Sequence, residues 1–221
     1  MPRVVIDGNI GAGKTTQLDL LEAKGWKVRR EPIDKWPLEE FYSDPSRWAF
    51  LFHMRILQTR AASNTKFPII YERSLQSSYY VFWEILRKKG QVTDMEHDAY
   101  TYFYEKLGWQ PDLYIFLSKT PELAYEHVQT RHQAGDGGVT LEYMKELNEA
   151  YMKLVRNMPC IVRVVNANRS VDEIHKDICK ILAENEQLLV SDTQRDQVQK
   201  NRTARGGPMQ CTSFINMCRL S

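Results

Sequence analysis

An α/β fold, a five-stranded parallel sheet with helices on both faces, is the architecture this 221-residue sequence predicts, and three observations carry it. Short apolar runs alternate along the chain with stretches whose apolar residues recur at helical spacing. One run, Leu113 to Leu117 (LYIFL), is continuously apolar, as a strand covered on both faces must be. The first run, Arg3 to Asp7 (RVVID), passes through a glycine-rich loop straight into a helical pattern.

The elements follow in order. Lys14 to Lys24 carries Leu18, Leu20 and Leu21 at helical spacing and stops at Gly25. Trp26 to Arg30 (WKVRR) is a weak second strand. Pro45 to Ala62 reads as a long helix, and Lys66 to Tyr71 as a strand. Leu75 to Lys89 and Asp94 to Leu107 are helical, separated by Gly90. Pro111-Asp112 introduces LYIFL, and Pro121 to Arg131 is a helix. Three glycines in Gln133 to Gly138 break that pattern, giving a short lid at about 127–138. Leu141 to Asn157 is helical, Ile161 to Val165 forms the fifth strand, and Ser170 caps a final amphipathic helix reaching Leu188. Residues 1–188 thus read as one domain, and 189–221 as a polar, flexible tail.

Lys and Arg total 30 against 28 Asp and Glu, a net charge of +2, which is too balanced to argue for nucleic acid or an anionic membrane as the main partner, and neither is expected. The small excess sits in the tail, at Arg195, Lys200, Arg202, Arg205 and Arg219. Cysteines at 160, 179, 211 and 218 have neither zinc spacing nor a disulfide framework, so a reducing compartment, the cytoplasm, is expected. No apolar run approaches the roughly 20 residues needed to span a bilayer. The ending Cys218-Arg219-Leu220-Ser221 outlines a prenylation box, but Arg219 stands where an aliphatic residue is usual.

Gly8, Asn9, Ile10, Gly11, Ala12, Gly13, Lys14 and Thr15 fit G-x-x-x-x-G-K-[ST] between a strand and a helix. Glycines let backbone N–H groups converge on phosphate oxygens, and the helix N-terminus favours anionic charge. Lys14 is then expected to bridge the β- and γ-phosphates of ATP, with the Thr15 hydroxyl on Mg²⁺. The loop alone leaves ATPase, GTPase and kinase open. Two strand ends add to it. Arg30-Glu31-Pro32 puts Glu31 at the carboxyl edge of the sheet, a candidate acceptor of a proton from an attacking hydroxyl. Tyr71-Glu72-Arg73-Ser74 brings Glu72 within reach of the Mg²⁺ shell and Arg73 within reach of a transferring phosphate. The competing expectations are a solvated glutamate and a surface ion pair.

The motifs GNIGAGKT, EPIDKW, FYSDPSRWAFLF and ERSLQSSYYVF, in this order, are similar to those of the deoxyribonucleoside kinases, from about Val4 to Leu188. The resemblance implies a P-loop kinase fold and a nucleoside 5′-kinase using ATP and Mg²⁺, commonly dimeric through a helix pair. By matching positions it makes Glu31 the general base and Arg73 the arginine on the 5′ region. Tyr42 matches the residue on the 3′-hydroxyl, with Asp136 standing where the family has glutamate. Trp36, Phe52 and Phe82 match aromatic residues around the base.

Three departures stand out. His53 occupies the place of a glutamine that pairs bidentately with the base, and an imidazole cannot present donor and acceptor side by side. Arg60 matches a base-contacting arginine, yet Ser78 replaces its usual aspartate partner, leaving Arg60 free to swing out and admit a thymine methyl. The lid keeps only Arg131 where relatives carry several arginines. The implied substrates are thymidine and deoxycytidine with broad tolerance. Thymidylate kinase, which shares the P-loop and an Arg-Glu-Pro, and a non-catalytic nucleotide-binding subunit are the alternatives.

Overall fold

The computed structural model describes residues 2–61, 68–131 and 138–189. Five parallel strands lie in the order β2-β3-β1-β4-β5: β1 Arg3–Gly8, β2 Val28–Arg29, β3 Ile69–Glu72, β4 Leu113–Ser118 and β5 Ile161–Asn166. In-register pairing of Val4 with Ile70 and Leu113 sets the centre of the sheet.

The pleat sends alternate side chains into two cores. Val4, Ile6, Leu113, Ile115 and Leu117 pack with Leu18 and Leu21 of α1 (Lys14–Ala23) and Ile174 and Ile178 of α9 (Val171–Glu184). Val5, Tyr114 and Phe116 face the opposite core, with helices α3 (Pro45–Arg60), α6 (Asp94–Leu107), α7 (Pro121–Arg131) and α8 (Leu141–Asn157). Continuous apolarity in LYIFL reflects this double coverage.

Local chemistry marks the helix ends. Asp44 accepts from the Arg47 amide with Pro45 at the first turn of α3, and Ser170 forms a capping box with Glu173 at α9. Four expectations need correction. The second strand shrinks to Val28–Arg29, because only those residues pair with β3. The third starts at Ile69, residues 66 and 67 lying outside the described part. The Leu75 to Lys89 helix has three parts: α4 Leu75–Ser77, a π-helical turn Ser78–Trp83 and α5 Glu84–Lys88. The final helix breaks at Asn185, with α10 Glu186–Leu189 beyond it. A short α2, Leu38–Ser43, escaped the sequence pattern altogether. Among the described residues no helix is long and apolar enough to cross a membrane, and the tail and its Cys218 box lie outside them.

Candidate active site

The carboxyl ends of β1, β2 and β3 open into a cavity of about 800 Å³ lined by Gly11, Gly13, Lys14, Thr15, Glu31, Glu72 and Arg73 at one end. Its floor is the β1–α1 loop. Gly11 has φ +73, and a Cβ there would lie 2.3 Å from the Ala124 carbonyl of α7, so the loop can press against α7 only with glycine at this place. Ile10 also lines the cavity, whereas Gly8, Asn9 and Ala12 stand behind it. Asn9 donates to the Met144 carbonyl of α8 at 2.9 Å, Ala12 packs in the core, and Gly8 offers its carbonyl to Lys14.

Lys14 curls back on the loop, Nζ donating to the Asn9 carbonyl at 2.8 Å and the Gly8 carbonyl at 3.2 Å. Burial, with Arg73 nearby as a second cause, pulls its pKa down to about 7. This ammonium is short of negative charge, which phosphate oxygens would provide.

Next to it, Thr15 Oγ1 donates to Glu72 Oε1 at 2.8 Å, and Glu72 Oε2 accepts from the Glu31 amide at 3.3 Å. A hydroxyl and a carboxylate side by side at the phosphate loop are oxygen donors of the kind Mg²⁺ takes, and Thr15 and Glu72 would be the residues to hold it. Among the described residues no cluster of three or more His, Cys, Asp or Glu could hold a metal by itself.

The Glu31 carboxylate is gripped from both sides, by Arg60 Nη1 at 3.2 Å and Arg73 Nε at 3.0 Å. Its side chain is 17% exposed, which removes the expectation of a solvated glutamate, and the Glu72–Arg73 pair is equally far from a surface ion pair. Arg73 is the one non-glycine residue with positive φ, 57°, among the described residues. A bulky side chain held in that region is strained, and such strain concentrates at functional sites. Burial disfavours the charged guanidinium, but Tyr151, Glu31, Asp7 and Glu72 outweigh it and raise its pKa.

Arg60 is not among the residues that line the cavity. Its guanidinium turns away from the base end to Glu31 and to the carbonyls of Glu72 (2.6 Å) and Arg73 (2.7 Å), while its own carbonyl accepts from Trp109 Nε1. Ser78 has no carboxylate to draw it inward, and its hydroxyl bonds the Ser74 carbonyl.

The other end of the cavity is aromatic. Trp36, Tyr42, Phe52, His53, Ser78, Phe82 and Tyr143 line it. Phe41 stacks on Phe52 at 4.4 Å between centroids, Trp36 Nε1 is tied to Thr59 Oγ1 at 2.9 Å, and Arg73 sits 5.0 Å over the Phe82 ring. His53 is 1% exposed among Phe52, Trp83 and Tyr100, and among the described residues its Nδ1 has no hydrogen-bond partner. Burial lowers its pKa to about 3, so the ring is neutral, and the unmet Nδ1 is sealed within the packing.

Arg131, at the end of α7, also lines the cavity. Asp136 lies outside the described residues; just after it, Gly138 comes back beside Tyr42, whose Cδ1 would be 3.8 Å from a Cβ added there.

Three features escaped the sequence. Lys119 Nζ donates to His127 Nδ1 at 3.0 Å, putting a buried cation behind a histidine of the cavity wall. Tyr143 comes from α8. Tyr151, also from α8, bonds both Asp7 and Arg73. A signal existed for Asp7, a charged residue inside an apolar strand, but none for Tyr151, whose spacing is that of a core residue.

Comparison with known proteins decides the family. The model of the deoxynucleoside kinases ("Deoxynucleoside kinase") matches residues 4–191. The chain belongs to this family. Among relatives of this deoxynucleoside kinase, the "Probable deoxycytidine kinase FPV151" of Fowlpox virus is 31% identical over 165 residues, 68% of this chain and 70% of the relative. The deoxyadenosine kinase of Dictyostelium discoideum is 29% identical over 185 residues, 76% of this chain and 72% of the relative. In fold, this kinase is similar to a deoxyadenosine kinase from M. mycoides solved with dCMP and dCDP, with a TM-score of 0.73 at 22% identity, covering 82% of this chain and 98% of that one.

Proposed function

We propose that this kinase transfers the γ-phosphoryl group of ATP to the 5′-hydroxyl of a deoxyribonucleoside, in the cytoplasm, with pyrimidine nucleosides preferred. One observation carries the reading. A carboxylate held between two arginines, Glu31 with Arg60 and Arg73, faces the same cavity as the phosphate loop. Glu31 takes the proton of the 5′-hydroxyl as it attacks, a contribution typically worth about 10² to 10⁴ in rate. Lys14 and the loop amides hold the donor phosphates, while Arg73 and Arg131 compensate charge on the transferring group. Thr15 and Glu72 would hold Mg²⁺, which neutralises charge on the β- and γ-oxygens when bound. The nucleoside lies among Trp36, Phe52 and Phe82, with Tyr42 and Asp136 serving its 3′-hydroxyl.

The pyrimidine preference rests on the base end. His53 is neutral, and the withdrawal of Arg60 leaves apolar walls around Ile56 and Leu86, which suit a small base and tolerate a methyl group. Dimerisation is supported by Leu51, Phe103 and Leu107, which are exposed and line one shared groove of α3 and α6.

The test is phosphate transfer from ATP with Mg²⁺ to thymidine, deoxycytidine, deoxyadenosine, deoxyguanosine and thymidine monophosphate, with Glu31→Gln as control. Transfer to pyrimidine nucleosides that vanishes in the control is the expected result. Transfer to the monophosphate alone would replace the reading with a thymidylate kinase, and nucleotide binding without transfer would make the chain a non-catalytic subunit.

A further inference from the structure

Arg73 has more partners than a phosphate-binding arginine requires. Its amide donates to the Ile6 carbonyl at 2.9 Å, and its carbonyl accepts from Arg60 Nη2 at 2.7 Å. In its side chain, Nε holds Glu31, and Nη1 donates both to the Gly8 carbonyl at 2.9 Å and to the Tyr151 hydroxyl. Among the described residues Nη2 donates to no protein group, and Arg73 lines the cavity beside Lys14 and Thr15.

The Tyr151 hydroxyl is fully buried and continues to Asp7 Oδ1 at 3.0 Å. The donor pattern allows one arrangement only. A guanidinium can only donate and a carboxylate can only accept, so Tyr151 accepts from Arg73 and donates to Asp7. Burial pushes the phenol's pKa well above its ordinary value, so the O–H persists through the working pH range. Asp7 is itself 0% exposed and accepts from the Gly8 amide (2.8 Å) and from the Ser74 amide (3.1 Å) and hydroxyl (3.2 Å). The carboxylate therefore ties together the start of the phosphate loop, the residue that follows Arg73 and the Arg73 fork, the last both through the Tyr151 hydroxyl and by its own ion pair of Oδ1 with Arg73 Nη1 at 3.6 Å.

We propose that Tyr151 is a positioning residue for phosphoryl transfer, whose hydroxyl relays between Asp7 and Arg73 and aims the free Nη2 of Arg73 at the transferring phosphoryl group. The inference rests on the kinase reading above. It explains why a left-handed conformation is tolerated at residue 73, since Asp7 anchors the chain at Ser74 and the side chain through Tyr151. It also gives α8 a role beyond packing. This helix meets the loop at Asn9 and Met144, the cavity at Tyr143 and the arginine at Tyr151. A group acting this way sharpens orientation without touching substrate.

The test uses the full-length chain and the substitutions Tyr151→Phe, Asp7→Asn and Arg73→Ala, with kcat, KM and Tm measured for each. Tyr151→Phe keeps the ring and deletes one hydroxyl. It should lower kcat about tenfold, as loss of one charge-assisted bond does, with nucleoside KM changing less than about twofold. In the Arg73→Ala background, followed with radiolabelled ATP, it should lower kcat by less than about twofold, because its target is gone. A merely structural hydroxyl would move Tm alike in both backgrounds and would show no such dependence of kcat on Arg73. Asp7→Asn keeps the size but removes the charge that holds Arg73 both through Tyr151 and directly, and should Tyr151→Phe fail to fold, its loss of kcat should likewise disappear in the Arg73→Ala background. Undiminished kcat in Tyr151→Phe, or a loss that multiplies with that of Arg73→Ala, overturns the positioning role. Absence of nucleoside phosphorylation by the unaltered chain in the same assay overturns the kinase reading itself, and the proposal with it.

Discussion

Replacing Glu31 with glutamine separates proton acceptance from nucleoside binding. The side chain keeps its size, but the amide cannot take the 5′-hydroxyl proton, which alone predicts a fall in kcat of about 10² to 10⁴. That equals about 3 to 5 kcal/mol of transition-state stabilisation. A second loss follows from the clamp. The carboxylate accepts from Arg60 at 3.2 Å and from Arg73 at 3.0 Å, whereas an amide can accept from only one of them and turns N–H donors toward the other. Because the Glu31 side chain is 17% exposed and Arg60 keeps two carbonyl partners, this costs about 1 to 3 kcal/mol of stability, between the exposed and fully buried limits. A Tm lower by several degrees is therefore expected, in a chain that still folds. Nucleoside affinity, read by fluorescence of Trp36 beside the cavity, should stay within about threefold, since aromatic contacts supply most of it. Measured kcat within about threefold of the unaltered chain would refute the assignment and move the base elsewhere, since no positioned base is worth so little.

Lys14, with its pKa lowered to about 7 chiefly by burial, is mostly neutral at pH 8 before nucleotide arrives, and phosphate favours the charged form. ATP binding at pH 8 should take up close to one proton, read by calorimetry in buffers of different ionisation enthalpy; no uptake removes Lys14 from the phosphates, as would unchanged ATP binding by Lys14→Ala. His53 has its pKa lowered to about 3, so between pH 3 and its ordinary 6.5 the unfolded chain binds the extra proton and stability rises with pH. Unfolding free energy should fall by about 2 kcal/mol from pH 7 to pH 5, and His53→Gln should flatten this slope; an equal slope in both proteins would contradict a neutral buried ring. Leu51→Lys with Phe103→Lys on the α3 and α6 groove should convert a dimer to a monomer by light scattering, and an unchanged mass would place the interface elsewhere.

Sequence by itself determined the alternation of strands and helices and the phosphate loop, because these depend on local periodicity and on glycines whose backbone angles no other residue adopts easily. It also determined which strand ends bring Glu31, Glu72 and Arg73 to one edge, since a parallel sheet leaves little choice about where its carboxyl ends lie. The π-turn at Ser78–Trp83 and the helix Leu38–Ser43 were not legible, for hydrogen-bond offset and short helices depend on what packs against them. Only the tertiary structure decided the direction of Arg60, because a long charged side chain goes where its several donors are satisfied at once, here a carboxylate and two carbonyls supplied by residues 12 to 29 positions away. The same holds for Tyr151 and Asp7, which are 144 residues apart and look like one more core tyrosine and one oddly placed strand aspartate until the fold joins them at Arg73.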